Sequence, residues 1–438
     1  MIAMKFGGTS VGSAERIKNT CNIIKSKLED SPKVVVSAVS GMTNMLIELA
    51  NETSSEKRKE IFEKIKGRHI QILSEMDIEN SLLEKNLNEF EKIVNEIQDK
   101  EVDVKTFEII QSFGERMSSK IVAAQLNKMD IKAGAFNSYD LGFVTDDNFG
   151  NAEPLEKTYG NLKNEIGKID VLPVITGFLG KTESGEITTI GRGGSDYTAA
   201  IVGSAIGAKE IQIWTDVNGI MTTDPKIVPT AKTISEVSFA EASELAYFGA
   251  RVLHPKSIVP AMNKNIPVRV LNSFEPENKG TTIVNKAENG SIVRSISCKK
   301  NITLVNIQST RMLGAHGFLA KLFTTFENYK KSVDVIATSE VSVSLTVGDN
   351  SNMAELVKEL EEIADIKILK NKSIICVIGE GMRCTPGISG RTFSTIGKEN
   401  INIEMVSQGA SEINITFIVD GKDTDKAVHA LHNEYFGK

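Results

Sequence analysis

The sequence predicts an α/β domain built on a largely parallel sheet, followed by a tail of two small α+β units. Three observations predict this. Short apolar runs alternate with helix-length segments through the first two thirds of the chain, a polar stretch interrupts that rhythm, and beyond it a strand, helix, strand, strand order occurs twice. At 438 residues the chain exceeds one ordinary core, so more than one domain is required. A composition of 40% hydrophobic and 25% charged residues is that of a folded globular chain rather than a disordered one. The 51 lysines and arginines against 57 aspartates and glutamates leave a net charge of −6, which offers no bulk attraction to nucleic acid or to an anionic membrane. An anionic ligand therefore needs cations gathered locally.

In chain order, the apolar runs at 2–6, 34–39, 131–136, 171–176, 211–215 and 268–271 have strand length, and parallel strands of this kind place ligand loops beyond their carboxyl ends. Between about 54 and 99, Ile61, Ile65 and Ile72, then Leu83, Leu87, Phe90, Val94 and Ile97 recur at helical spacing in a highly charged background. This predicts a helical hairpin inserted in the α/β domain. Its Lys57-Arg58-Lys59 run reads as a solvated face, with a binding role as the alternative. The Gly- and Asn-containing stretch at 274–291 marks the boundary. Beyond it, strands at 302–307, 333–336 and 341–347 with a helix from Gly317 recur as strands at 374–378, 401–403 and 413–419 with a helix from Gly387, and a last helix follows at 423–434. Neither copy is large enough to stand comfortably alone, so the two are expected to pack on each other. Cys21, Cys298, Cys376 and Cys384 are scattered and form no Cys-x-x-Cys pair, which favours buried thiols over disulfides or a zinc site. With no leader pattern at the start and no apolar run of membrane length, a cytoplasmic protein is expected.

Three polar segments lie where such a sheet puts its ligands. Lys5-Phe-Gly-Gly-Thr-Ser-Val-Gly12 closes the first strand, and N–H groups presented by a glycine turn suit phosphate. Gly7 and Gly12 have P-loop spacing, but Ser13-Ala14 follows where Lys-Ser/Thr belongs, so this is no Walker loop. A merely tight turn with a solvent-exposed Lys5 is the alternative. Gly191-Arg-Gly-Gly-Ser-Asp196 runs into a small-residue helix expected to begin near Ser195, gathering a guanidinium, a hydroxyl, an acid and N–H groups at one helix N-terminus. There the alternative is a structural ion pair between Arg192 and Asp196. Trp214-Thr-Asp216 leaves a strand and continues through the turn signals Asn218-Gly219 and Asp224-Pro225 to Lys226.

Together with Ser37-Ala-Val-Ser-Gly-Met-Thr-Asn44, Ser112-Phe-Gly-Glu115 and Gly249-Ala-Arg-Val-Leu-His-Pro255, these segments resemble the aspartokinases of the amino acid kinase family, from one end of the chain to the other. The resemblance implies the amino acid kinase fold, a mostly parallel central sheet flanked by helices, over residues 1–290 with the insert at about 54–100. Two ferredoxin-like βαββαβ ACT units follow at 291–372 and 373–438, the tail of the second being free to complete the first. The implied reaction moves the ATP γ-phosphoryl group to the β-carboxylate of L-aspartate, giving 4-phospho-L-aspartate, the entry step to lysine, threonine and methionine. Because that carboxylate is already ionised, no general base is needed and catalysis reduces to positioning and charge neutralisation. By the resemblance, Lys5 and Asp196 are catalytic, and Thr43, Glu115, Phe178, Arg192 and Ser195 hold aspartate. Lys5, Gly7, Gly8, Ser10, Thr215, Asp216, Met221, Lys226 and Arg251 hold ATP. Met221 stands where tyrosine is common in the subgroup, Lys226 where arginine is, and Arg251 where lysine is. Mg2+ is expected on phosphate oxygens and water, so no metal-binding side chain is assigned.

The ACT units imply amino-acid sensing and a homo-oligomer, dimer or tetramer. The insert and the first repeat look like the lysine-sensitive class, with Met312, Ala315, Gly317, Phe318, Leu319, Val333, Asp334, Thr338, Ser339 and Glu340 as the site for L-lysine. Asp334 and Glu340 would take its ammonium groups and N–H groups at 317–319 its carboxylate, while Ala315 replaces a serine common there. Competing readings are a catalytically weak amino-acid sensor that keeps the fold, a kinase for another acidic amino acid such as glutamate, and a repeat that serves only to join subunits.

Overall fold

The first apolar run becomes β1 (Ile2–Phe6), all five of whose residues are buried. In this computed structural model, which describes residues 1–437 except 249–252, 289–290, 310–311, 313–315, 350 and 410–412, β1 lies inside an eight-stranded sheet. Its companions are β2 (Pro32–Val36), β3 (Ala133–Phe136), β4 (Leu172–Thr176), β7 (Ile211–Thr215), β8 (Glu236–Ser238), β9 (Val268–Asn272) and β10 (Thr281–Val284). The short strands β5 (Leu179–Lys181) and β6 (Ile187–Thr189) form a separate hairpin. The order is β3-β4-β2-β1-β7-β9-β10-β8, parallel throughout except between β9 and β10. This is the mostly parallel sheet expected from the sequence.

Alternation along β1 decides what each side of the sheet does. Ile2, Met4 and Phe6 enter an apolar cluster with Ile17 and Cys21 of helix Ala14–Lys25 and Ile121 of helix Val104–Lys128. Lys5, between them in the pleat, meets helix Gly194–Ile206 instead. Each fully buried apolar side chain of the cluster contributes roughly 1.5–3 kcal/mol, enough to hold a strand that also buries a lysine.

The insert is the expected helical hairpin, Ser55–Glu75 and Ser81–Ile97, with Phe62, Phe90 and Phe113 packed ring to ring beneath it. One residue of its charged run departs from a solvated face. Arg58 is fully buried, and its guanidinium donates to the carbonyls of Leu49 at 3.3 Å and Lys100 at 2.8 Å and to that of Gln98. These carbonyls sit near the ends of helices Met42–Asn51 and Ser81–Ile97, where the last C=O groups lack intrahelical partners. The thiols follow expectation in part: Cys21 and Cys376 are buried, Cys298 is half-buried, and Cys384 is exposed.

The tail forms a six-stranded antiparallel sheet from β11 (Ser295–Gln308), β12 (Val333–Thr338), β13 (Ser342–Val347), β14 (Asp365–Ile378), β15 (Met405–Ser407) and β16 (Asn414–Asp420), in the order β12-β13-β11-β14-β16-β15. β11 and β14 are 14 residues each, far longer than the apolar runs within them. The first half of β11 pairs with the second half of β14, and its second half pairs with both β13 and the first half of β14. A helix at Met353–Leu360 gives the first copy the same terminal helix as the second, a match the sequence pattern did not disclose. The strand expected at 401–403 lies instead at β15. The last helix, Thr424–Phe436, packs Ala427, Val428 and Leu431 with Ile296 at the start of β11 and with Ile375 and Phe417 of the second copy.

Packing also redraws the expected boundaries. One compact unit takes Met1–Ile220, Ser235–Phe239 and Val252–Ala287, and the other takes Met221–Ile234, Ala240–Arg251 and Glu288–Lys438. A single division near residue 290 does not describe this, because two earlier segments pack with the tail. Among the described residues no helix is long and apolar enough to cross a membrane.

Candidate active site

The carboxyl ends of β1, β2, β4 and β7 carry the segments that sequence reading singled out, and backbone bonds draw them together. Gly7 N donates to Trp214 O at 3.1 Å, Ser37 N to Phe6 O at 3.1 Å, and Gly177 N to Val36 O at 2.9 Å. At this point of a parallel sheet, strand ends leave a crevice for a ligand.

Lys5 and Asp196 meet there. Nζ lies 2.6 Å from Oδ1, with the side chains 11% and 13% exposed. Asp196 stands in the first turn of helix Gly194–Ile206, where the macrodipole favours its negative charge. The alternative pairing of Asp196 with Arg192 is therefore replaced: Arg192 is exposed, and the acid belongs to Lys5. Glycines follow the lysine where side chains would crowd the turn. A side chain on Gly7 would stand 3.4 Å from Lys5 Nζ, and one on Gly8 would stand 2.9 Å from Ala38 O. Ser10 is engaged elsewhere, its buried hydroxyl 2.7 Å from that of Ser273 and its N–H donated to Gly7 O.

Glu115 approaches the same spot from helix Val104–Lys128. It is 4% exposed and accepts the Ala38 N–H at 3.0 Å. Gly114 permits this approach, since a side chain there would lie 2.7 Å from Ala38 Cβ. Burial pushes the Glu115 carboxyl up to about 8, opposed by the Ala38 N–H, so the acid is mostly neutral at pH 7 until a cation joins it. Its neighbour Arg116 faces the other way and binds Glu89 of the insert through two bonds, 3.0 and 2.6 Å.

Across the crevice, Phe178 adopts φ 67°, a conformation that costs a bulky residue about 1–3 kcal/mol. It is held there by its N–H, which donates to Thr198 Oγ1 at 3.0 Å, and by Ile190 N, which donates to its carbonyl. Gly177 lies so near Ser195 that a side chain on it would meet Ser195 Oγ at 2.6 Å. Gly193 precedes the helix at φ 73°, with His254 closing off any side chain at 2.7 Å. Thr43 sits half-exposed in the first turn of helix Met42–Asn51. Gly177 and Ser273 lie in no motif that the sequence singles out, and Ala38 and His254 lie in such motifs without a role of their own there, because what these four contribute is mainly backbone, close approach or a contact made across the fold.

Of the expected nucleotide residues, Thr215 ends β7 and its hydroxyl donates to Asp216 at 3.3 Å, beside Ser273, whose N–H reaches Thr215 O at 2.8 Å. Met221 and Lys226 fall in the segment that packs with the tail. Met221 O accepts from Ser295 Oγ at 2.9 Å, and Lys226 is exposed. Arg251 lies outside the described residues.

The comparisons with known proteins decide the family. The amino acid kinase family model matches residues 1–272 and the ACT domain model residues 375–435. The chain is 42% identical over 457 residues to aspartokinase 2, chloroplastic, of Arabidopsis thaliana, covering 99% of this chain and 84% of that protein. It is 36% identical over 453 residues to lysine-sensitive aspartokinase 3 of Escherichia coli, covering 100% and 99%. The chain belongs to the aspartokinases. It is an ATP-dependent aspartate kinase with the amino acid kinase fold and an ACT tail. The crystal structure of E. coli aspartokinase III in complex with aspartate and ADP superposes with a TM-score of 0.85 at 33% identity, covering all of both chains. The same enzyme in complex with lysine and aspartate superposes at 0.84 and 34%, covering 100% of this chain and 99% of that one.

In the aspartokinase tail the expected effector residues lie around the first copy. Gly317, at φ 84°, precedes helix Phe318–Asn328; Phe318 and Met312 pack on that copy's apolar cluster, and Leu319 is exposed. Val333 and Asp334 begin β12, Thr338 ends it, and the exposed Ser339 and Glu340 follow, with Ser339 Oγ 2.7 Å from Ser342 Oγ. Asp334 and Thr338 are thus about 13 Å apart along the strand. Ala315 lies outside the described residues.

Proposed function

We propose that phosphoryl transfer runs across the Lys5–Asp196 pair, with the Lys5 ammonium neutralising charge on the moving γ-phosphoryl group and Asp196 orienting it. Gly7 and Gly8 admit the phosphates, helped by backbone N–H groups, and Ser10 shapes that turn. Thr215, Asp216, Met221, Lys226 and Arg251 complete the nucleotide site. The aspartate β-carboxylate, ionised at neutral pH, attacks without a base, and ADP and 4-phospho-L-aspartate leave. Arg192 takes the substrate α-carboxylate, Glu115 its α-ammonium, and Thr43, Phe178 and Ser195 shape the pocket. Because burial holds Glu115 protonated, arrival of the ammonium discharges that proton and leaves a buried ion pair. Mg2+ supplies charge neutralisation on the phosphate oxygens. Nucleotide oxygens and water would provide most of its donors.

The observation that carries this reading is the Lys5 ammonium held 2.6 Å from Asp196 at the strand ends. Its test is a coupled assay of ADP release with aspartate, with glutamate and with neither. Release that is equal on glutamate, or absent on aspartate, would remove it.

Feedback by L-lysine belongs to the same proposal. The E. coli relative is named lysine-sensitive and its structure holds lysine, and Asp334 and Glu340 provide acids in the first ACT copy. Inhibition follows if lysine binds better to a conformation with misplaced kinase loops, since an effector shifts an equilibrium only by differential affinity. The protein is taken to act in the cytoplasm as a homo-oligomer joined through its ACT copies, with residues near 291–372 and 373–438 as their approximate extents. Sedimentation with and without lysine tests the assembly, and a monomer in both would exclude it.

A further inference from the structure

The two copies of the tail can be laid on each other at their left-handed asparagines, Asn301 (φ 59°) in β11 and Asn371 (φ 57°) in β14. Asp334 of β12 then corresponds to Glu404, just before β15, and Gly348, after β13, to Asp420 at the end of β16. Both acids carry an ammonium belonging to the chain itself. In the second copy, Lys372 Nζ lies 2.7 Å from Glu404 Oε1 and 2.9 Å from Asp420 Oδ2, and its side chain is only 10% exposed. In the first, Lys299 Nζ lies 2.7 Å from both oxygens of Asp334, but 34% of its side chain is exposed against 6% for the acid. Where the second copy supplies a second carboxylate, the first has Gly348, and a side chain there would stand 3.1 Å from Lys299 Nζ.

Asp334 also reaches beyond its own strand. Tyr247 donates its hydroxyl to Oδ1 at 3.2 Å, and Lys299 Nζ lies 6.0 Å from the Tyr247 ring. Tyr247 belongs to helix Phe239–Phe248, which the tail also holds at other points. Asn414 donates to Glu244 at 2.5 Å, and Ser297 donates to the Phe248 carbonyl at 2.6 Å.

We propose that Lys299 is a built-in competitor for the effector's ammonium. The first copy senses because its internal ammonium, held by one carboxylate and open to water, is displaced by a free amino acid that brings its own. The second copy is closed because Lys372 is held by two carboxylates and covered. Exchange of one ammonium for another keeps the buried Asp334 paired, and Lys299 swings into solvent, so no charge is stranded. Because Tyr247 shares the same oxygen, the exchange is felt on helix Phe239–Phe248. This rests on the reading that Asp334 receives an ammonium group of free lysine.

Calorimetric titration of lysine into the full chain, beside lysine inhibition of ADP release, tests it with variants of opposite direction. Lys299→Met keeps the stem and loses the ammonium, and is expected to bind lysine about tenfold more tightly. Lys299→Arg grips the carboxylate with a fork, and is expected to bind lysine about threefold more weakly. Asp334→Asn is expected to lose lysine binding. Equal or weaker binding by Lys299→Met overturns the competition, as does unchanged binding by Lys299→Arg, which also decides the matter if the methionine variant does not fold. Loss of binding in Asp334→Asn then leaves the effector site standing, whereas wild-type binding by Asp334→Asn removes that site and this inference with it.

Discussion

Lys5–Asp196 and Lys299–Asp334 are pairs of nearly equal length, 2.6 and 2.7 Å, placed in unlike surroundings. In the first, both partners are almost covered, the acid stands at a helix N-terminus, and Gly7 lies beside the ammonium. In the second, the acid is covered and the ammonium reaches water. Bond length therefore does not report what a pair is for. On the proposed reading, the covered pair is a fixed charge arrangement that awaits an anion, while the half-open pair is weakened by solvent and salt and can trade its cation. Arg58 extends the comparison to a buried cation whose guanidinium donates to three carbonyls.

The sharpest way to break this contrast is Lys5→Ala. With its charge gone, turnover should fall by about a thousandfold, as when one donor to a developing transition-state charge is removed, while calorimetric lysine binding stays as in the wild type. Near-full activity would show that Lys5 is not the neutralising group. Arg58→Ala comes next, on stability rather than rate: leaving buried carbonyls without donors should cost about 3 kcal/mol in urea denaturation, with kcat unchanged. A loss of kcat at full stability would place Arg58 in the chemistry instead.

Asp196→Asn keeps the shape and removes the charge, so kcat should drop by about tenfold or more with a smaller change in KM for aspartate. Unaltered kcat would mean that the pair merely fills space. The smallest effects are expected at Glu115, an acid with no fixed cation. Burial raises it from 4.5 to about 8, so between those values the folded chain holds a proton that the unfolded chain has lost. Stability contributed by this group is therefore lost as pH rises through that window, and Glu115→Gln should flatten the slope. Aspartate affinity runs the other way, because only the carboxylate pairs with the ammonium. KM should fall as pH rises toward about 8 in the wild type and stay level in Glu115→Gln. A wild-type KM that ignores pH would remove Glu115 from the substrate.

Much of this arrangement was legible in the sequence, for identifiable reasons. β1 and β7 match their apolar runs, because Gly7 ends the first abruptly and Glu210 and Asp216 bound the second. β2 stops at Val36, short of the expected residue 39, because Ala38 turns its N–H to Glu115. β5, β6, β8 and β10 are three or four residues long and leave no periodic signal. Glycines marked the turns at the strand ends that are proposed to hold phosphate, since phosphate sites favour bare backbone. Arg58 was misread because its carbonyl partners at Gln98 and Lys100 lie 40 and 42 residues away, and a local charge run says nothing of them. Lys299 stayed hidden for the same reason, with Asp334 35 residues along the chain.

The strands β11 and β14 tie the two tail copies together in a way that bears on any attempt to separate them. Each runs through both halves of the sheet, so a fragment cut at residue 372 would lose the partner of Ser295–Lys299 and keep only the early half of β14. Gene fragments that follow the visible repeat would encode two open sheet edges prone to aggregation, and a proteolytic nick between the copies would leave their strands laced in place.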